Sequence, residues 1–116
     1  MAASHSYPKA VRLRRRAEFL AVQREGRRRH SEHLVVIRRP APGLCSRLGV
    51  TVSKRVGNAV VRSRVKRLLR EVFRACRGGI KPPSDVLVIA KPGADTLTYA
   101  QAATEFVRTL ELSAGG

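Results

Sequence analysis

Cutting a nucleic acid and holding one draw on different side chains, and their distribution in this chain separates the two tasks. A metal-dependent nuclease needs clustered carboxylates to hold its ions, yet the eight Asp and Glu residues are few and scattered. A metal-free nuclease needs a positioned general acid and base, most often histidine. His5, His30 and His33 lie in or near the basic N-terminal third with no evident orienting partners. His30 and His33 are three apart, but a metal would need further ligands at fixed spacing. The expectation is no catalytic residue and no metal ligand. Binding is a different matter. Seven of the chain's 24 lysines and arginines fall between Lys54 and Glu71, where Glu71 is the one acid.

Those bases are ordered among apolar residues. On a helix starting after Asn58, at about 100° per residue, Val61, Val65, Leu68, Leu69, Val72 and Cys76 fall on one face. Ser63, Lys66, Arg67, Arg70, Arg74 and Arg77 fall on the other. One face can pack on a core while the other presents a rigid cationic strip. Solvated helix faces usually mix charges to gain i,i+4 pairs. Here only Glu71 offers such pairs, to Arg67 and Arg74, and it reads as structural.

The whole chain supports a polyanion partner. Its 116 residues are 43% hydrophobic and carry a net charge of +16. A single domain of this size buries roughly two thirds of its unfolded surface, and the apolar content argues against wholesale disorder. A charge of +16 repels itself unless the compact state works beside negative charge. Residues 1–77 hold 21 bases against four acids, residues 78–116 three against four. The C-terminal third is therefore scaffold. No apolar run reaches the ~20 residues of a membrane span, and no apolar signal region opens the chain. Cys45 and Cys76 form no motif, and Cys76 reads as a small buried hydrophobe. A cytoplasmic location with reduced thiols is expected.

The elements that must position the strip can be read in order. Residues 1–10 are expected to be a flexible basic tail, 11–112 a single domain, and 113–116 a disordered end. Arg14 to Glu25 predicts a short helix with Phe19 and Val22 on one side and Gly26 as its stop. Leu34 to Ile37 is a β-rich run, expected to end at Arg38-Arg39-Pro40. Residues 47–53 alternate, with Leu48, Val50 and Val52 to one face and Gly49, Thr51 and Ser53 to the other, as in a half-buried strand. Gly57-Asn58 supplies a turn and an N-cap for the basic helix. Gly78-Gly79 and Pro82-Pro83 end it. Asp85 to Lys91 has the unbroken apolar centre of a strand covered on both faces. Thr98 to Gln101 matches a capping box and opens a last helix with Tyr99, Ala102, Ala103, Phe106 and Leu110 at helical spacing. The fold class is α/β (α+β), a two-layer sandwich in the order α-β-β-α-β-α, with room for one more short strand near His30. The strand-helix-strand unit from 47 to 91 would by default cross over right-handed.

The run from Ser53 through Arg62-Ser63-Arg64-Val65-Lys66-Arg67 to Glu71 closely resembles the signature of the bacterial ribonuclease P protein subunit. The resemblance takes in Arg47 to Val52 before it, Arg12-Leu13 through Phe19 to Gly26, and Val88-Ile89-Ala90-Lys91-Pro92 with the last helix. It thus spans nearly the whole chain in the right order. It implies an RNA-binding subunit of a ribonucleoprotein endonuclease that removes the 5′ leader from precursor tRNA. The RNA subunit would do the chemistry with Mg2+, and no cofactor would be bound by this chain. Partners would be the ribonuclease P RNA subunit and precursor tRNA, with no membrane and no DNA. The family's left-handed crossover around the basic helix replaces the right-handed default.

The resemblance also implies two surfaces. The family's Arg-Asn-Arg motif and following bases, which contact the RNA subunit, align with Arg62, Ser63, Arg64, Lys66, Arg67 and Arg70. The leader cleft between the first helix and the sheet aligns with Arg12, Phe19, Lys54 and Arg55. The motif's Asn is Ser63 here, a second aromatic four residues after Phe19 is Gln23, and an aromatic of the first long strand is Ile37. Leader stacking would then rest on Phe19 and on the arginines around 12–16 and 27–29. The competing class is a general structured-RNA-binding module such as a ribosomal protein. The strands flanking the basic helix argue against a helix-turn-helix DNA reader.

Overall fold

The computed structural model describes residues 12, 13, 15–40 and 45–111. The expected tails at 1–10 and 113–116, and Arg14 at the expected start of the first helix, lie outside these residues. The elements are α1 (Arg16–Glu25), β1 (Arg27–His30), β2 (Leu34–Pro40), β3 (Arg47–Val52), α2 (Ala59–Cys76), β4 (Ser84–Ala90) and α3 (Tyr99–Thr109). The strands form one four-stranded sheet in the order β1-β2-β4-β3. β1 runs antiparallel to β2, β2 antiparallel to β4, and β3 parallel to β4. The sandwich expected from the sequence is present, and the short strand near His30 is β1.

β4 is central and its apolar run is covered on both sides, as its composition requires. Alternation along the strands builds two cores. Leu34, Val36, Leu48, Val52, Val86 and Val88 pack with α2 and α3. Val35, Ile37 and Leu87 pack with Leu13, Val22 and Phe19 on the opposite face. α1 therefore adds partial cover to the second face of the sandwich. Gly49 does not face solvent as an alternating strand suggests, because the Phe19 ring lies over it; an added Cβ would sit 2.9 Å from Phe19 Cζ.

α2 follows its sequence pattern closely. The Asn58 side chain accepts the Val61 N–H at 3.0 Å, which satisfies one of the first-turn donors. Val65, Leu69, Val72 and Phe73 are buried, and Val61, Leu68 and Cys76 pack at the margin. Phe73, absent from the apolar face read off the periodicity, is fully buried. It stands about 90° round the helix from the face centre, beyond the other apolar positions, and a large ring reaches the core from there. The Cys76 thiol is pushed up to about 11 by burial, which suits a hydrophobe and not a nucleophile. The capping box at α3 forms in both directions, Gln101 N–H to Thr98 Oγ1 at 3.2 Å and Thr98 N–H to Gln101 Oε1 at 3.0 Å. Tyr99, expected on the apolar face of α3, is exposed because it opens the helix.

β2 does not end at Arg38-Arg39-Pro40 but runs through them, opposite Val86, Asp85 and Ser84. The charged side chains find partners far away in sequence. Arg38 donates to Ser84 Oγ (3.0 Å), to the Leu110 carbonyl (3.0 Å) and to the Lys81 carbonyl (2.9 Å). It thereby ties the C-terminal carbonyls of α3, where a cation is favoured, to the sheet.

Candidate nucleic-acid interface

Three of the acids that look scattered in sequence, Glu18, Glu25 and Asp85, are brought together by the fold and are already paired with arginines. Asp85 is fully buried. It accepts from Arg47 Nε and Nη2, both at 2.9 Å, and from Arg39 Nη2 at 3.0 Å. Arg47 also reaches Glu18 at 2.6 Å and Arg39 reaches Glu25 at 3.1 Å. Glu18 lies in the first turn of α1 and Glu25 is its last residue, so both ends of α1 are fastened to the sheet. Burial works to raise the Asp85 carboxyl, but the hydrogen bonds from Arg47 and Arg39 outweigh it and hold the group below its ordinary 3.8. Periodicity carries no trace of this network. The one sequence signal is an Asp placed against an otherwise apolar central strand, where a buried carboxylate must be paired.

A second buried carboxylate pins the opposite side. Glu105 of α3 accepts the His33 N–H at 3.0 Å, meets His33 Nδ1 at 2.7 Å and takes the Ser31 hydroxyl. Burial raises it, and these hydrogen bonds together hold it below its ordinary value. His33 is thus a structural partner of Glu105. Among the described residues no group of three or more His, Cys, Asp and Glu could hold a metal ion.

Apart from these pairs, a set of cations stands on α2 and in the β3–α2 link. Ser63, Arg64 and Arg67 are exposed, while Arg62, Lys66 and Arg70 are half-buried along one flank of α2. The Arg62 Nε is buried and has no hydrogen-bond partner among the described residues. Arg64 reaches across to the Asp95 carbonyl at 3.1 Å, which holds its guanidinium along the outside of the helix. Arg67 reaches no carboxylate among the described residues, so the expected pair with Glu71 does not form. The strip stands on a helix anchored by four buried side chains, so its spacing is fixed before any ligand arrives.

The residues expected to hold the leader converge on β3 from three directions. Arg12 bridges to Leu48 on the outer edge of β3, and the Leu13 N–H donates to the Leu48 carbonyl at 2.9 Å. Phe19 lies half-buried over Gly49. Lys54 and Arg55 are exposed in the turn that leaves the strand, closed by the Val56 N–H to the Ser53 carbonyl at 3.1 Å. Phe19 and the α2 strip occupy opposite faces of the sheet, and Lys54 and Arg55 lie in the link between them.

A family model described as ribonuclease P matches residues 7–112. The chain is 46% identical over 107 residues to the ribonuclease P protein component of Desulfovibrio desulfuricans, covering 89% of this chain and 82% of that one. It is 49% identical over 88 residues to the corresponding protein of Desulfatibacillum aliphaticivorans, covering 76% and 75%. The chain belongs to the ribonuclease P protein family. Solved structures agree. The RNase P protein of Staphylococcus aureus superposes with a TM-score of 0.78 at 32% identity, covering 89% of this chain and 94% of that one. The Thermotoga maritima RNase P protein gives 0.77 at 29% identity, covering 89% and 98%. The chain is accordingly the protein subunit of ribonuclease P, an endoribonuclease of tRNA maturation, and its macromolecular partner is that enzyme's RNA subunit. Among the described residues no helix is long and apolar enough to cross a membrane.

Proposed function

We propose that the two surfaces divide the work of the subunit. The strip formed by Arg62, Ser63, Arg64, Lys66, Arg67 and Arg70 docks on the RNA subunit. Arg12, Phe19, Lys54 and Arg55 hold the 5′ leader of precursor tRNA. The observation that carries this reading is the exposed, acid-poor cationic face of a helix whose other face is locked into the core. Lysine and arginine set on a rigid helix offset phosphate repulsion between two large RNAs and release their counterions. Readout of this kind follows backbone and shape, as is usual for structured RNA. Phe19, half-buried beside the side-chain-free backbone of Gly49, offers aromatic surface for a leader base.

Catalysis is assigned to the RNA subunit with its Mg2+. The carboxylates that approach one another in this chain, Glu18, Glu25 and Asp85, are bridged by Arg39 and Arg47. A cation placed there would have to displace two guanidinium groups, so these residues do not fit a resident metal. The proposed setting is the cytoplasm, where Cys45 and Cys76 remain thiols.

The test is titration of the protein with the ribonuclease P RNA over a range of salt. Arg64→Ala and Arg67→Ala should each weaken binding and lower the slope of log K against log salt by about one unit for each phosphate no longer neutralised. Unchanged slopes in both variants would remove α2 from the RNA-subunit interface.

A further inference from the structure

The pairing registers arrange the α1 face of the sheet in three cross-strand rows. The first is Arg47–Asp85–Arg39, held at both ends by α1 through Glu18 and Glu25. The second is Gly49–Leu87–Ile37 and extends to Arg28 of β1. α1 covers it, with Phe19 on Gly49 and Gly26 against Ile37. The third is Thr51–Ile89–Val35–His30. This row is only partly covered: Thr51 and His30 are exposed and Ile89 is half-buried, while Val35 is buried in the second core. It is apolar in the middle and crosses from Thr51, two residues along β3 from the Gly49 that Phe19 covers, to the outer edge strand β1.

The charge on β1 is divided between the two faces of the sheet. Arg27 and Arg29, on the α3 face, lie 3.9 and 2.9 Å from the Glu111 carboxylate. Arg28 and His30 pair with Ile37 and Val35 and stand on the α1 face. Arg28 is exposed and meets no carboxylate among the described residues. Two same-face residues of a strand are about 7 Å apart, a spacing that lets each meet a successive backbone group of an extended single strand.

The geometry points to a leader track that continues past Phe19 along this third row and ends on β1, where Arg28 and His30 hold leader nucleotides further from the cleavage site. This rests on the reading of the Phe19 cleft as the leader site. Single strands are bound by a cationic groove that follows the backbone together with surfaces on which bases stack. The track supplies both: Phe19 at one end, the half-buried Ile89 between, and Arg28 with the His30 imidazole at the other. The distance from β3 to β1 is three strand spacings, about 14 Å, so only a leader several nucleotides long could reach the far end.

The experiment uses the holoenzyme reconstituted from this protein and a ribonuclease P RNA. Affinity is measured for precursor tRNAs whose leaders are shortened stepwise, with mature tRNA as the end of the series. Arg28→Ala with His30→Ala should cost about three- to tenfold on the longest leader and nothing on the shortest or on mature tRNA. Arg28→Lys should restore most of the loss. Equal affinity to wild type at every length would overturn the track, and so would an equal loss at every length, which would place β1 on the tRNA body or the RNA subunit. Phe19→Ala separates this failure from that of the cleft. If Phe19→Ala loses leader affinity while the β1 pair does not, only the extension falls. If neither responds to leader length, the cleft reading falls with it.

Discussion

Asp85→Asn is the perturbation whose size the structure fixes best. The substitution keeps the shape but turns one carboxylate oxygen into an NH2 group. Oδ2 accepts from both Arg39 and Arg47, and Oδ1 accepts from Arg47 Nε. Whichever way the amide turns, a donor faces a donor and the charge that offset two arginines is gone. Removing one partner of a buried ion pair costs about 3–5 kcal/mol. Arg39 and Arg47 keep Glu25 and Glu18 on their outer sides, which places the loss near the lower figure. At about 4–8 °C per kcal/mol for a small domain, roughly 3 kcal/mol lowers Tm by roughly 12–24 °C. The assay is thermal unfolding followed by circular dichroism at constant ionic strength across pH. Because the folded Asp85 carboxyl lies below its ordinary 3.8, its stabilisation is fully present above that value and fades as pH falls through the depressed one. Wild type and variant should therefore differ by a constant amount at neutral pH and converge in acid. A drop in Tm below about 4 °C at neutral pH, or a gap that persists in acid, would refute Asp85 as the anchor of α1.

Phe73→Ala should lower stability by about 3–5 kcal/mol in urea unfolding, since the ring is fully buried; a loss below about 1 kcal/mol would contradict its place in the core. Gly26→Ala puts a methyl 2.6 Å from both Ile37 Cγ2 and the Val22 carbonyl, and should cost about 1–3 kcal/mol in the same assay. Phe19→Ala should weaken precursor tRNA binding by about 1–3 kcal/mol while leaving mature tRNA binding unchanged, measured side by side in the holoenzyme.

What was legible in the sequence followed from local rules. α2 announces itself by amphipathic spacing and by Asn58, whose short side chain can reach only the first turn. Thr98 and Gln101 satisfy each other within four residues, so α3 could be started correctly from the chain alone. β4 was readable because a strand with no polar alternation needs cover on both faces. The differences come from contacts that span the chain. Arg38 and Arg39 look like the end of a strand until Ser84 and Asp85 arrive beside them. Glu18, Glu25 and Asp85 look scattered because the arginines that gather them come from two different strands. Gly49 reads as a solvent-facing position until α1 lays Phe19 on it. The candidate strip on α2 was visible as a helix face, whereas the cross-strand rows leading to Arg28 and His30 exist only once register is known.

The most direct test of the subunit role is cleavage of a 5′-extended precursor tRNA at low magnesium, with the protein and a ribonuclease P RNA assayed separately and together. The pair should remove the leader and the protein alone should not, and the α2 arginine variants should restore cleavage less well at a given protein concentration. Cleavage by the protein alone, or an active RNA left unaided by it, would contradict the division of labour between the two subunits.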